Sequence, residues 1–335
     1  MAEYFESKVV HGFVDKLEAG IDTPNYPQLR DMNRMFFEMM EAIEKTDRGY
    51  VETGTISLRN NIADIPEVLA LKRNSEEICE RRDEPFGLKV CITGPYTLSS
   101  FFAFRDPQIY SRLGGVLEKI VDRNIFDNKY GSVRILTVDE PVFALVDDPQ
   151  IDLGSQGREN LLSTWERIFQ RARQKGAETC IHLHRTTDEL FWQVDSLRIV
   201  ESHVGDPLYS SEKTKDLVDS GDKVLKASIC ITIFDRLIES HIRSRPEDRK
   251  SLDQAEQVGE IWTEIREGKV NPEMFIEHAE TMEKRLRNIV QRFGSERVPY
   301  AGSECGLASF PTYECALECL RRVSRAARAI SLPSL

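Results

Sequence analysis

Short apolar runs alternate along the chain with longer amphipathic stretches, and this alternation defines the predicted secondary structure. Compact runs rich in Val, Ile and Leu are typical of buried strands. Stretches in which apolar residues recur at every third or fourth position are typical of helices that pack on one face. The alternation of the two predicts a parallel sheet with helices outside it, which is an α/β fold.

Six strands are predicted, at residues 88–93, 133–138, 179–184, 197–200, 227–234 and 297–302. Helices are predicted at residues 107–127, 158–175, 186–194, 211–219, 252–266, 272–294 and 311–330. One strand in roughly every 20 to 60 residues suits a (β/α)8 TIM barrel. No repeat or linker divides the sequence, so we predict a single domain over residues 1–335.

The N-terminal part fits this pattern least. Residues 3–20 predict an amphipathic helix, residues 20–28 a strand with its loop, and residues 48–57 either a hairpin or a further strand. The chain thus begins on a helix, whereas a (β/α)8 barrel begins on a strand. We therefore expect the first barrel strand to be atypical or missing.

Composition and charge narrow the class of protein. The chain is 40% hydrophobic and 30% charged, as in ordinary globular enzymes. Its formal net charge of −11, without a basic stripe, predicts no nucleic-acid partner. The sequence offers neither a long apolar run nor a signal-peptide core, so we expect no membrane partner and a cytoplasmic location. Seven cysteines, an odd number, fit reduced thiols or metal ligands better than disulfides.

Three predicted strand ends carry side chains that bind metals. His182 and His184 lie two residues apart in "CIHLH", so their imidazoles share one face of the strand. The next strand ends on Glu201, and the last one runs into Cys305. The carboxyl ends of barrel strands carry the chemistry of this fold. Zinc accepts nitrogen, oxygen and sulfur ligands together, so we predict a Zn2+ site made by His182, His184, Glu201 and Cys305.

Each of these residues also has a structural interpretation. A buried His at a strand end is more often hydrogen-bonded to protein than bound to metal, and a single Cys before Gly often only fills space. Three other cysteines are predicted to lie in the core, namely Cys180, Cys315 and Cys319. The shared position at strand ends is what favours the metal.

Six segments resemble, in the same order and at similar spacings, the landmarks of the catalytic barrel of cobalamin-independent methionine synthase. They are "ITGPYTLSSFF" (92–102), "VDEPVF" (138–143), "IHLH" (181–184), "IVES" (199–202), "FDRLIES" (234–240) and "SECGLASF" (303–310). Any one of them is weak, whereas six in order are fairly specific. That family is grouped with uroporphyrinogen decarboxylase, so the resemblance implies a (β/α)8 barrel in which zinc activates a methyl-accepting thiol.

The resemblance assigns metal ligands residue by residue. His182, Glu201 and Cys305 match the His, Glu and Cys ligands of the family, whereas His184 falls where the family has Cys. An imidazole leaves the site one unit more positive than a thiolate would. A bound thiol is then expected to ionise more readily and to attack less strongly. Zinc stays the expected metal, with nickel, iron and cobalt more plausible than in the family.

Further residues are expected to contact the substrate or donor. Asp139 matches a family carboxylate that holds the amino group of homocysteine, although a strand-end Asp also caps helices. Gln28 lies in "YPQLRDM", which resembles a segment of short archaeal relatives and implies a place near the substrate. His203, two residues after Glu201, is expected to orient a ligand or to protonate the demethylated donor, or else to be an exposed loop residue.

The predicted function is therefore a zinc-dependent methyltransferase that acts on a small thiol, homocysteine first, and so makes methionine. The chain resembles the short archaeal members, which implies a methyl-corrinoid protein as donor ahead of methylfolate. Two alternatives stay open. A methylcobamide:coenzyme M type of transferase would use Arg185, next to His184, to bind a sulfonate. A barrel without catalysis, acting as a binding subunit, is favoured by the missing first strand and by His184.

Overall fold

The computed structural model describes residues 2–244 and 253–330, which separate into two compact units. The first unit contains residues 2–17, 22–202 and 206–224, and the second contains residues 18–21, 203–205, 225–244 and 253–330. Each unit has its own strands and its own buried apolar residues. The single domain predicted over residues 1–335 stays a prediction.

The strands of the first unit form a parallel sheet and a separate hairpin. They are β1 (Met40–Thr46), β2 (Gly49–Leu58), β3 (Phe86–Thr93), β4 (Asp127–Asn128), β5 (Gly131–Glu140), β6 (Glu178–Leu183) and β7 (Ile199–Glu201). Strands β3, β5, β6 and β7 are parallel neighbours in that order, and β4 adds an antiparallel edge to β5. Strands β1 and β2 pair antiparallel with each other. All but the first residue of β6 are buried, as expected for a strand covered on both faces.

Eight helices accompany these strands in the described part of the first unit. They are α1 (Ala2–Glu18), α2 (Arg34–Glu38), α3 (Pro66–Arg73), α4 (Ser75–Arg82), α5 (Pro95–Ser99), α6 (Ile109–Asn124), α7 (Gln156–Gln174) and α8 (Glu212–Ser220). Helix α6 buries Leu113, Leu117 and Ile120, which share one face. Helix α7 starts after Ser155, whose hydroxyl accepts the Arg158 N–H at 3.1 Å.

The second unit holds one parallel strand pair and four helices among its described residues. They are β8 (Val224–Cys230), α9 (Phe234–Ser244), α10 (Gln254–Arg266), α11 (Ala279–Phe293), β9 (Tyr300–Ser303) and α12 (Tyr313–Arg328). Strands β8 and β9 are parallel. Phe234 is fully buried and meets Phe310 edge to face, with ring centroids 5.2 Å apart. This aromatic contact fixes the start of α9 inside the unit.

Most predicted elements are found within a few residues of their expected bounds, and three expectations are wrong. The helix predicted at 186–194 is only a 3-10 turn at Leu190–Gln193, because Asp188 binds the Leu190 N–H and so favours a local turn. The strand predicted at 227–234 stops at Cys230, and helix α9 begins at Phe234. The helix predicted at 272–294 is split into a 3-10 turn and α11.

Helices α3 and α4 belong to no predicted element, and residue 252 of the helix predicted at 252–266 lies outside the described residues. Over residues 2–244 and 253–330, none of the helices combines the length and hydropathy needed to cross a bilayer.

Residues 20–28, predicted as a strand with its loop, make a single β-bridge and no strand. Asn25 pairs parallel with Lys89 of β3, through Tyr26 N–H to Lys89 O at 3.3 Å and Lys89 N–H to Pro24 O at 2.9 Å. Prolines at 24 and 27 lack the N–H donors that would extend the ladder. Residues 48–57 lie in the β1–β2 hairpin, which was one of the two expectations.

The described strands are thus those of an α/β fold. Six of them run parallel to a neighbour, four in the first unit and two in the second. This is consistent with a barrel of the TIM type. Its closure by eight strands stays a prediction.

Glu140, the last residue of β5, is fully buried and accepts four hydrogen bonds. The backbone N–H groups of Tyr96 and Thr97 donate at 3.0 and 2.7 Å, the Thr97 hydroxyl at 2.7 Å and the Trp165 indole at 2.9 Å. A buried carboxylate needs such donors to replace water. These bonds fix the start of α5 and the face of α7 against the end of β5.

Replacing Gly94 by Ala tests this close packing. A Cβ at Gly94 would lie 2.7 Å from Val138 Cγ1 and closer still to the Glu140 carboxylate. We expect Gly94→Ala to lower the free energy of unfolding by about 1–3 kcal/mol. Gly115→Ala in α6 is the matched control, because its Cβ would meet nothing within 4 Å, and it should stabilise by about 0.5–1 kcal/mol. Urea denaturation measures both, and equal effects would contradict the packing described.

The pH dependence of stability tests the environment of Glu140. Burial raises the pKa of Glu140 from 4.5 to about 7, against the opposing effect of its hydrogen bonds. Folding thus favours the protonated form, so this contribution is full below pH 4.5 and is lost as the pH rises through 7. Relative to Glu140→Gln, the wild type should lose roughly 3 kcal/mol of unfolding free energy over this interval. Urea titrations at several pH values measure it, and a pH-independent difference would contradict it.

Candidate metal centre

The register of the first unit aligns three of the predicted site residues in one row. Asp139 of β5 is opposite His182 of β6, and His182 is opposite Glu201 of β7. Partners in neighbouring parallel strands point to the same face of the sheet. Because these residues are at or next to the last positions of their strands, a carboxylate, an imidazole and a second carboxylate share one edge of the sheet.

His182 and His184 form the first pair of potential metal ligands. His182 is 6% exposed, and His184 lies just beyond the end of β6. Their rings meet edge to face with centroids 5.4 Å apart, and a ring nitrogen of His182 lies within 4.8 Å of a ring nitrogen of His184. The alternation of a strand thus brings the two imidazoles together, as the sequence predicts.

Glu201 is buried beside this pair and forms an ion pair. Its Oε1 atom lies 2.8 Å from Lys89 Nζ and 3.4 Å from His182 Nδ1. The Glu201 side chain is 2% exposed, so its charge must be compensated by neighbouring groups. Ligation of a metal by Glu201 stays a prediction, and the ammonium of Lys89 is one of its observed partners.

His203 and Cys305 form the second pair of potential ligands, in the second unit. A nitrogen of His203 and the Sγ atom of Cys305 lie within 4.8 Å of each other. Cys305 is exposed and His203 is half-buried. The sequence did not predict His203 as a metal ligand. Its short distance to Cys305 makes it a candidate nitrogen donor beside the predicted sulfur donor.

Glu304 explains why these two residues are neighbours. Its buried carboxylate accepts the Val204 N–H at 2.8 Å through Oε2 and the Thr232 N–H at 3.0 Å through Oε1. Val204 directly follows His203, and Glu304 directly precedes Cys305. One side chain therefore ties the segment of His203 to the segment of Cys305.

The donor types and spacings fit a transition metal. In a tetrahedral zinc site, bonds of about 2.0–2.3 Å separate neighbouring donors by roughly 3.3–3.8 Å. The bound of 4.8 Å within each pair is compatible with that separation after a small rotation of the side chains. Imidazole and thiolate are donors that zinc prefers. Each pair is thus suitable as half of a four-coordinate site.

The residues predicted to contact substrate differ in their surroundings. Asp139 is half-buried and in register with His182. Gln28 is exposed, and its Nε2 lies 3.4 Å from the hydroxyl of Tyr26. Arg185 is exposed on the loop after His184. Their roles in binding stay predictions.

The sequence analysis did not identify Lys89 and Glu304 as residues near the site. It did predict correctly that three cysteines lie in the core. Cys180, Cys315 and Cys319 are buried, as expected of core residues. Lys89 carried a signal, since it is the one charged residue in the apolar run "LKVCIT". Glu304 carried none, because nothing in "SECG" shows that its carboxylate turns inward.

Replacing Glu304 tests its role as a bridge. Glu304→Ala would leave a buried and a partly buried N–H group without their acceptor, so we expect the free energy of unfolding to fall by about 2 kcal/mol or more. Glu314→Ala on the exposed face of α12 is the control, with an expected change below about 1 kcal/mol. Chemical denaturation of both variants measures this. A loss no larger than that of the control would contradict the assignment.

Comparisons with known proteins bear on the fold. No family model matches the sequence, and no curated protein matches it either. Among solved structures, the chain is similar to a B12-independent methionine synthase from Shewanella sp. W3-18-1 in complex with selenomethionine. The TM-score is 0.64 and the sequence identity 15%, over 97% of this chain and 86% of that chain. This likeness shows that the chain shares the fold of that structure.

Proposed function

We propose that this protein is a methyltransferase that moves a methyl group to a small thiol, with homocysteine as the first candidate. The observation that carries the proposal is the row formed by Asp139, His182 and Glu201, with His184 beside it, at the strand ends of this fold. The similar structure is a methionine synthase, and the six segments named above resemble that family. We propose a cytoplasmic enzyme of the short archaeal type.

We propose that one Zn2+ ion is bound by His182 and His184, with Cys305 as the sulfur ligand that the sequence predicts and His203 as a further nitrogen donor. The donor types and the spacing within each pair support this. When bound, the zinc would lower the pKa of a thiol at the site, which makes the sulfur nucleophilic near neutral pH.

The side chains of this protein would orient the acceptor thiol for the transfer of the methyl group. Asp139 would accept a hydrogen bond from the ammonium of homocysteine and so orient the sulfur. In an in-line displacement the sulfur forms a bond to the methyl carbon, and the bond from that carbon to the donor breaks. The electron pair of that bond stays with the donor, and the thiol proton passes to solvent.

Asp139 is the reason to place homocysteine ahead of coenzyme M. A carboxylate in register with His182 suits an amino group and repels a sulfonate. Arg185, the residue that would hold a sulfonate, is exposed. We propose a methyl-corrinoid protein as the donor, with methylfolate as the second candidate.

Metal content is the first test. Protein purified without chelators should contain about one equivalent of zinc, and Cys305→Ala should weaken zinc binding by more than the roughly 10-fold loss that indirect partners of a ligand produce. Cys79→Ala is the matched control, since Cys79 lies on α4 and belongs to no candidate ligand pair. Less than half an equivalent of any transition metal, not restored by added zinc, would instead support a binding subunit without catalysis.

Activity is the second test. Wild-type protein with methylcobalamin, or with methyltetrahydrofolate, should methylate homocysteine, and Cys305→Ala should lose metal and activity together. Product formation is followed by mass spectrometry with homocysteine and coenzyme M in parallel. Methylation of coenzyme M with homocysteine inert would reverse the proposed order of acceptors, and an unchanged rate in Cys305→Ala would contradict the role of this thiol.

A further inference from the structure

Lys89 is a charged residue inside an apolar strand. It lies in β3 between the fully buried Leu88 and Val90, and its own side chain is 17% exposed. Lysine is rarely buried without a partner of opposite charge. Its Nζ atom lies 2.8 Å from Oε1 of Glu201. The two side chains thus form an ion pair between β3 and β7, in which the carboxylate is buried and the ammonium partly buried.

Besides Glu201, one carboxylate and two thiols face Lys89, namely Asp139, Cys91 and Cys180. Burial by itself disfavours the ammonium, but Glu201, Cys91, Cys180 and Asp139 more than offset this, and the pKa of Lys89 lies well above its ordinary value. The 2.8 Å contact of Nζ with a carboxylate oxygen identifies the Lys89 side chain as an ammonium. It is the observed counter-charge of Glu201 in the first unit.

One oxygen of Glu201 is close to two different groups. Oε1 lies 2.8 Å from Lys89 Nζ and 3.4 Å from Nδ1 of His182. Zinc bonds are about 2.0–2.3 Å long, so a carboxylate this close to a ligand imidazole is within reach of the metal that the imidazole holds. A carboxylate oxygen bound to an ammonium is a weaker metal donor than a free one. Lys89 and the metal therefore compete for Glu201.

We propose that Lys89 is a positioning residue that keeps Glu201 off the metal, so that the acceptor thiol, and not Glu201, adds to the four protein ligands as a fifth ligand. This inference rests on the proposed function and adds a residue to it. Removal of the ammonium releases Glu201 toward the metal. The variant protein then binds zinc more tightly and the thiol more weakly. Damage to the fold would weaken both, so the sign of the change separates the two explanations.

The test measures zinc affinity of the full chain by competition with a chromophoric chelator. Lys89→Met should bind zinc at least about 10-fold more tightly than the wild type, the scale on which outer partners of ligands act. In calorimetry with zinc-loaded protein, its affinity for homocysteine should fall by about as much. Lys89→Arg keeps the cation and should restore both values to near those of the wild type.

Glu201→Gln, alone and combined with Lys89→Met, completes a double-mutant cycle. Glu201→Gln should leave zinc affinity within about 3-fold of the wild type, because Glu201 is not a ligand while Lys89 holds it. Adding Lys89→Met to Glu201→Gln should then change nothing. Lys16→Met is the matched control, because Lys16, like Lys89, is a half-buried lysine, and it donates to Asn25 at 2.9 and 3.0 Å. Its zinc affinity should equal that of the wild type.

The outcomes separate this inference from the proposed function. If the wild type binds no zinc, both fail. If the wild type binds zinc and Lys89→Met binds it no more tightly, only the role of Lys89 fails. A loss of zinc affinity of about 10-fold or more in Glu201→Gln would also overturn it, because Glu201 would then be a resting ligand. That variant decides the question even if Lys89→Met does not fold.

Discussion

A carboxylate can be buried at a strand end only if donors or a cation replace the water that it loses. Three glutamates of this protein meet that requirement in three different ways. Glu140 accepts four neutral hydrogen bonds, Glu201 faces the ammonium of Lys89, and Glu304 accepts two backbone N–H groups. Within each unit these three anchors fix the loops and strand ends that carry the candidate chemistry.

The three anchors suit different tasks. Glu140 and Glu304 each accept two backbone N–H groups, and these donors cannot leave without unfolding the segment that contains them. Glu201 holds a side chain instead, and a side chain is able to change partners by rotation. The carboxylate beside His182 is thus the one whose partner can be exchanged, which is what the proposed binding of a substrate thiol to the metal requires.

The substitution of His for the Cys of the resembling family changes the charge of the proposed site. A set of three imidazoles and one thiolate carries one negative charge, so zinc would leave it with a net charge of +1. Such a site favours ionisation of an incoming thiol and weakens the resulting sulfur as a nucleophile. A second negative ligand would cancel that charge. The ion pair of Lys89 with Glu201 therefore preserves the electrophilic character of the proposed centre.

The fold was largely predictable from sequence because buried strands and amphipathic helices have different periods. The strands that carry Asp139, His182 and Glu201 are found where their apolar runs predict them. The strand predicted at 227–234 extends beyond the observed end at Cys230. Apolar residues such as Ile233 and Phe234 suit the end of a strand and the start of a helix equally well, so the pattern alone does not place the boundary. Spacing within "CIHLH" predicts the His182 and His184 pair, since it depends only on strand alternation.

Contacts between distant segments were not predictable in the same way. The pairing of Lys89 with Glu201 joins residues 112 positions apart, and that of Val204 with Glu304 joins residues 100 positions apart. A pattern within a short stretch of sequence does not show which residues far apart in the chain will pair. His203 was therefore predicted near the site only from its closeness in sequence to Glu201, and its spacing to Cys305 required the fold.

X-ray absorption at the zinc edge tests the central claim most directly. Zinc-loaded wild-type protein should show one sulfur at about 2.3 Å together with nitrogen neighbours at about 2.0–2.1 Å, and homocysteine should add a second sulfur. A first shell of nitrogen and oxygen alone, or a sulfur count that homocysteine does not change, would contradict a zinc centre that uses Cys305 and receives a thiol.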